Sequence, residues 1–170
     1  MTVRSLVEDY FNRIAEAGSK NRADDVSSLM KQFQNSLEEL TKAEDEISAE
    51  LVRLTDEPCR SDAYLWIIAA QLRPSPMYLE ALCKILEYPE SCAWHEGIVD
   101  ILYDLADERA VPYLKKALDF DFPSDPGRNL GIKILETLDK IGTSEAIGII
   151  EECRTSTSPE IRETAEYLLE

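Results

Sequence analysis

Histidine and cysteine are the residue types in this chain best suited to nucleophilic or acid–base chemistry. His95 is the single histidine, and Cys92 precedes it by three residues, a spacing at which a helix brings two side chains together. Such a pair could serve as nucleophile and general base. The favoured interpretation is instead that Trp94 and His95 form the capped, partly exposed start of a helix. Since no serine lies in a Gly-x-Ser-x-Gly turn either, the sequence predicts no catalytic residues.

The cysteines do not have the spacing of a metal site. Cys59, Cys83, Cys92 and Cys153 form no Cys-x-x-Cys pair, and Cys83 and Cys153 fall in helical patterns where a thiol packs as a small apolar group. The first nine residues lack the apolar segment of a secretory signal, so reduced thiols and a cytoplasmic location are expected. The even number of cysteines leaves two disulfides as an alternative.

An acidic segment, residues 119–126, is the remaining candidate for ion binding. It holds three carboxylates but lacks the central glycine and terminal glutamate of a calcium-binding EF-hand loop. We expect it to cap the next helix, with Asp125 as the N-cap and Pro126 in the first turn. Glycine-rich phosphate-binding motifs are also missing from the sequence, so neither a metal nor a cofactor is predicted.

The charge balance excludes several classes of partner. The chain has 34 acidic and 18 basic residues, a formal net charge of −16. Nucleic-acid and anionic-membrane binding both need clustered cations, and the nearest cluster is the Lys115–Lys116 pair. An acidic surface either keeps a protein soluble by self-repulsion or attracts a basic partner.

Helical periodicity in residues 1–57 predicts an N-terminal helical hairpin or cap. A first helix is expected from Thr2 to Ala17 and a second, continuous one from about Ala23 to Leu54. About 32 residues in one helix would form a rod of roughly 48 Å. The second helix carries a heptad seam that would pack on the rest of the chain or on another chain. Its two series are Val26, Phe33, Leu40, Ile47 and Leu54, and Met30, Leu37, Glu44 and Leu51.

Residues 58–170 predict seven shorter helices, at about 61–72, 77–87, 94–105, 108–118, 126–141, 144–153 and 159–169. Residues 98–111 align with residues 134–147, an offset of 36 residues. A self-similar unit of this length indicates a repeated helix pair. The fold class predicted for the whole chain is therefore all-α.

The segment from Asp107 to Ile147 resembles the short HEAT-type repeat named after phycobilisome lyases. The resemblance covers about residues 61–170. It implies a right-handed helix-pair solenoid with about three pairs and a final helix, and mostly scaffold or binding roles. The residues that carry it are Asp107, Arg109, Ala110, Val111, Pro112, Leu114, Ala117, Leu118, Arg128, Ile132, Leu135, Leu138, Gly142, Ala146 and Ile147.

Solenoids bind partners on the concave surface formed by the second helix of each pair. Here that surface would be mostly acidic with one aromatic anchor, which predicts a non-catalytic module that binds a basic protein. A bacterial immunity protein that neutralises a toxin is one form of this function. The alternatives are a scaffold or homodimer held by the heptad seam, and an enzyme similar to bilin lyases. The predicted binding residues are Tyr113, Lys116, Asp119, Asp121, Glu145, Glu151 and Glu152.

Overall fold

A computed structural model describes residues 2–19, 23–90 and 94–170. Within these residues the chain is all-helical and has no strand, which confirms the predicted class. Short 3-10 turns at Pro76–Tyr78 and Glu108–Ala110 lead into α5 and α7. The ten α-helices are α1 Val3–Ser19, α2 Ala23–Glu38, α3 Ala43–Leu54, α4 Ala63–Leu72, α5 Leu79–Leu86, α6 His95–Leu105, α7 Val111–Ala117, α8 Asn129–Ile141, α9 Ser144–Cys153 and α10 Pro159–Leu168.

Helices α1 and α2 pack along each other, as the apolar periodicity of both segments requires. Tyr10 of α1 stacks on Phe33 of α2 with ring centroids 4.5 Å apart, and its hydroxyl donates to the Met30 sulfur at 3.3 Å. Helix α1 also contacts α3 and α4, so this hairpin is joined to the helices that follow it.

The prediction of one continuous helix from Ala23 to Leu54 is wrong, because the chain turns between α2 and α3. The guanidinium of Arg73 donates to the carbonyl oxygens of Leu37 and Leu40 at 2.9 and 3.0 Å. Glu44 accepts hydrogen bonds from Arg73 and from the Ser75 hydroxyl, each at 3.3 Å. These tertiary contacts satisfy carbonyls that a continuous helix would have paired within itself.

Most of the heptad seam is covered within this one chain. Phe33, Leu37, Ile47, Leu51 and Leu54 are all buried in the core. The turn between α2 and α3 lets the two halves of the seam pack in different directions, on α1 and on α4 and α5. The seam therefore supports a homodimer or scaffold less than the sequence alone suggested.

From α3 onward the helices contact one another in two rows. One row is α3, α5, α7 and α9, and the other is α4, α6, α8 and α10. The rows are joined by contacts of α3 with α4, α5 with α6, α7 with α8, and α9 with α10. The core lies between them, where Trp66, Leu82, Ile98, Leu102 and Leu138 are buried.

Small residues and caps fix the corners between these rows. Gly142 ends α8 with φ +68°, a left-handed conformation that favours glycine. Thr143 then caps α9 by accepting a hydrogen bond from the Ala146 amide at 3.2 Å. A side chain at Gly131 would meet Ile161 at 2.4 Å, so this glycine allows the close approach of α10 to α8.

The predicted start of α8 is three residues too early. The helix begins at Asn129, so Pro126 lies before it and not in its first turn. Asp125 still satisfies the free amides of this end, since its carboxylate accepts from the Asn129 and Leu130 amides at 2.9 and 3.0 Å. The N-cap position itself belongs to Arg128, so the prediction of Asp125 as the N-cap is wrong.

Candidate functional site

His95 is a buried structural residue in this fold. It is 3% exposed, and its Nε2 donates to the carbonyl oxygen of Tyr88 at 2.6 Å. Phe120 and Phe122 lie against the ring, and burial lowers the pKa of His95 and so favours the neutral imidazole. The prediction of partial exposure is correct for Trp94, at 51%, and wrong for His95. The predicted pairing with Cys92 lies outside the described residues.

The expectation of four reduced thiols is wrong for Cys59, which is disulfide-bonded. Cys83 and Cys153 carry free thiols. Burial, which penalises the thiolate, raises the pKa of Cys83 to about 12 and also raises the pKa of Cys153. Neither thiol is activated as a nucleophile.

The described part of the chain contains no cluster of three or more histidine, cysteine, aspartate or glutamate side chains that could hold a metal ion. Among the same residues, no helix is both long enough and apolar enough to cross a membrane.

The structure distributes the predicted binding residues over α7, α9 and the loop after α7. Tyr113 is half-buried on α7, and Lys116 is exposed one turn further on. Glu152 of α9 accepts a hydrogen bond from Lys115 of α7 at 3.0 Å, so these two helices share one surface. Asp119 and Glu145 are exposed and form no ion pair within the described residues.

This surface carries more of its own cations than the sequence-based hypothesis assumed. Besides the Lys115–Glu152 pair, Lys116 lies 2.9 Å from Glu87, and Arg154 lies 3.2 Å from Glu151. All of these groups are at least partly exposed, where an ion pair contributes little to stability. Such pairs nevertheless weaken the negative field of the face, and only part of the predicted acidity is available to a partner.

Asp121 belongs to a different local arrangement. Its carboxylate is 85% exposed and lies 3.3 Å from Arg128. The same guanidinium donates to the carbonyl oxygens of Leu118 and Phe120, at 2.9 and 2.8 Å. Arg128 thus closes the loop between α7 and α8, and Asp121 adds a surface ion pair to that closure.

A buried ionic cluster joins α1, α3 and the start of α4. Glu50 is 5% exposed and accepts from Arg4 at 2.5 Å, from Arg60 at 3.0 Å and from Arg53. Arg60 also lies 2.5 Å from Asp62. Burial alone would raise the pKa of Glu50, but the hydrogen bonds from Arg4 and Arg60 outweigh it and lower that pKa. Its carboxylate is fully committed, so this cluster stabilises the fold and offers no free group for chemistry.

A further concave feature is a groove between α4, α6 and α8. It encloses about 460 Å³, within the range of small-ligand sites. Its lining includes Tyr64 and Trp94, whose ring centroids are 5.0 Å apart. The charged residues Glu96, Asp100 and Lys133 also line it. We call this feature the α4–α6 groove.

Sequence reasoning missed the α4–α6 groove because its residues come from helices far apart in the chain. Tyr64 and Trp94 are separated by all of α5, and Lys133 belongs to a later helix. One available signal was Trp94, a large aromatic expected at a partly exposed helix start. A single exposed aromatic is common, so only the packing of α4 beside α6 gives it meaning.

A comparison with known proteins found no matching family model, no matching curated protein and no matching solved structure. The resemblance to HEAT-type repeats therefore stays a prediction, and function has to be argued from the residues of this chain.

Proposed function

We propose that this chain is a non-catalytic protein-binding module that recognises a basic protein partner, built as a HEAT-like helix-pair solenoid. The observation that carries the proposal is the arrangement of helices in two rows under a strongly acidic surface. Each row exposes one continuous layer of helices, and such layers give solenoids their extended binding surfaces. With a net charge of −16, the field around those layers attracts cationic proteins and repels polyanions.

The surface of α7 and α9 remains the predicted contact region. Tyr113 supplies an aromatic side chain of the kind that interfaces favour, and Asp119 and Glu145 are acids with no ion pair among the described residues. Cations of a basic partner could also replace Lys115 at Glu152 and Arg154 at Glu151. Recognition would then combine long-range attraction with a local exchange of ion pairs.

The experiment that tests this proposal measures association kinetics by surface plasmon resonance against a basic protein captured from the native host. Long-range steering acts before contact, so raising salt from about 0.1 M to 1 M shortens the Debye length from about 10 Å to 3 Å and slows association. Charge reversal at Glu145 is expected to slow association more than reversal at Glu136, an exposed acid on α8. Association that ignores both salt and Glu145 would refute the proposal.

The variant Tyr113→Ala distinguishes short-range contact with the partner from long-range electrostatic attraction. Loss of a buried aromatic anchor is expected to raise the dissociation rate and leave the association rate nearly unchanged. The narrower proposal, an immunity protein, adds a requirement: cells producing the cognate basic toxin survive only when this chain is produced as well. A partner that binds the chain but has no toxicity would reject the narrower form alone.

A further inference from the structure

Three aromatic side chains lie in a row on the surface beside the α4–α6 groove. The ring centroids of Phe11 and Tyr64 are 6.1 Å apart, and those of Tyr64 and Trp94 are 5.0 Å apart. Phe11 is 41% exposed and Trp94 is 51% exposed. Scattered exposed aromatics need no explanation, but contiguous ones mark interaction sites, and tryptophan and tyrosine dominate the binding energy of interfaces.

The backbone holds Trp94 at the groove. Its φ is 54°, a left-handed conformation that is costly for a bulky residue and persists only where the surroundings impose it. The next residue, His95, is buried and bonded to the Tyr88 carbonyl oxygen, which fixes the start of α6. The indole is therefore presented on the surface instead of entering the core that begins one residue later.

The charged residues that line the groove are negative overall. Lys133 lies 2.8 Å from Asp100 and 3.6 Å from Glu96, so two carboxylates share one ammonium group. Asp125 adds a third carboxylate to the lining. Three acids against one lysine leave a net charge of −2 beside the exposed aromatic rings. Charge complementarity here requires a cationic occupant.

The chain already pairs cations with aromatic rings where its own residues supply both. The guanidinium of Arg4 lies 5.5 Å from the ring centroid of Trp66, and the ammonium of Lys140 lies 3.9 Å from that of Tyr103. Among the described residues, no cation of the chain lies over Trp94. The acidic residues and the aromatic face of the groove are the parts of a cation–π site that a protein supplies, and the cation would have to come from a binding partner.

We infer that the α4–α6 groove binds an arginine side chain of a partner polypeptide. The guanidinium stacks on Trp94 and Tyr64 and donates hydrogen bonds to Glu96, since both Asp100 oxygens already accept from Lys133 and Gln71. Such a planar, bidentate mode is one that arginine supports better than lysine. This inference deepens the proposed function and rests on it, because it takes the partner to be a basic protein. It also adds an arginine contact on α4, α6 and α8 to the contact region proposed on α7 and α9.

The test measures binding of a fluorescein-labelled hexa-arginine peptide by anisotropy at low salt. Trp94→Ala is expected to raise the dissociation constant about five- to tenfold, as loss of a partly desolvated cation–π contact does. Tyr167→Ala, which removes a more exposed aromatic side chain on α10, should leave it within about twofold. A hexa-lysine peptide should bind the unaltered chain more weakly than hexa-arginine, because lysine lacks the planar fork.

A matched pair of double variants separates the groove from the general acidic field. Glu96→Gln with Asp100→Asn removes two charges from the groove, and Asp56→Asn with Glu57→Gln removes two from the exposed segment after α3, which does not line the groove. Both pairs change the net charge equally, so only the groove pair should weaken hexa-arginine binding by more than about threefold. Equal melting temperatures and helical spectra of all variants show that folding is intact.

Each other outcome has a defined meaning. Equal effects of the groove pair and the Asp56 and Glu57 pair, or of Trp94→Ala and Tyr167→Ala, would overturn the groove assignment and leave the proposed function standing. No binding of hexa-arginine to the unaltered chain at low salt would count against the proposed function itself. Sedimentation that shows a dimer dissolved by Trp94→Ala would make a second copy of this chain the occupant, which also overturns the inference.

Discussion

Glu50 gives the sharpest test of the structural reasoning, since one carboxylate there is the acceptor for three arginines. We predict that Glu50→Gln lowers the free energy of unfolding at neutral pH. Of the three partners, Arg4 and Arg53 are 47% and 65% exposed and can turn toward water after the change. Arg60, 25% exposed, keeps Asp62 as a partner. The arginines therefore tolerate the loss better than fully buried cations would.

The size of the loss follows from these exposures. Removing one member of a buried ion pair costs about 3–5 kcal/mol when the other charge stays buried and unpaired. Because all three arginines retain access to water or to another acid, we expect a loss of about 2–4 kcal/mol. With a urea m-value of about 2 kcal/mol per molar, the unfolding midpoint should fall by about 1–2 M.

The pH dependence of the same measurement checks the cause. The folded-state pKa of Glu50 lies below its unfolded value, so its contribution is fully present above the ordinary glutamate pKa, about 4.3. The contribution is lost as the pH falls through the folded-state pKa, where the carboxylate is protonated in both states. The difference in unfolding free energy between the unaltered chain and Glu50→Gln should therefore shrink as the pH falls below about 4.

Glu57→Gln is the matched control, because it makes the same change of net charge at an exposed site just after α3. It should change the free energy of unfolding by less than about 0.5 kcal/mol. A Glu50→Gln variant as stable as this control would refute the assignment of the cluster as a stabilising element. A difference that persists undiminished at low pH would show that lost packing, and not lost charge, is responsible.

Three further predictions use other parts of the core. Leu138→Ala, at a fully buried position of α8, should cost about 2–5 kcal/mol in urea unfolding, and a much smaller loss would mean that the site collapses around the truncation. Leu37→Asp should reduce the helical circular dichroism signal, because Leu37 is buried within one chain and a carboxylate there destabilises the fold. If the unaltered chain were a dimer and the variant a folded monomer, this prediction would be contradicted. Cys83 should resist a thiol reagent at neutral pH until urea unfolds the chain, since its thiol is buried and its pKa is about 12, and fast labelling of the native protein would show otherwise.

Helix type and most helix positions could be predicted because they depend on local information. The residues from Ser144 to Cys153 are helical as predicted, since Thr143 caps the helix and the apolar residues follow its period. The start of α8 was missed by three residues because Asp125 caps it across a turn, and sequence spacing does not distinguish that arrangement from a direct N-cap. Boundaries of this kind depend on loop geometry.

The turn between α2 and α3 could not be predicted from local sequence, because its cause lies in a later helix. The seam residues on both sides favour helix, and neither proline nor glycine interrupts residues 23–54. Arg73, at the end of α4, supplies the donors that hold the carbonyls of Leu37 and Leu40. The one local sign was Glu44, a charged residue within an apolar series, and its partners become known only from the fold.

The placement of arginines connects the stability of this chain with its proposed function. The sequence has 18 basic residues for 34 acids, so at least 34 − 18 = 16 acids cannot have a cation of their own. A buried acid needs one most, because an uncompensated buried carboxylate costs far more than an exposed one. Glu50 alone takes Arg4, Arg53 and Arg60, whereas exposed acids such as Asp119 have no ion pair within the described residues. Three arginines committed to one buried carboxylate leave fewer cations to neutralise exposed acids, and a negative surface is the condition that recognition of a basic partner requires.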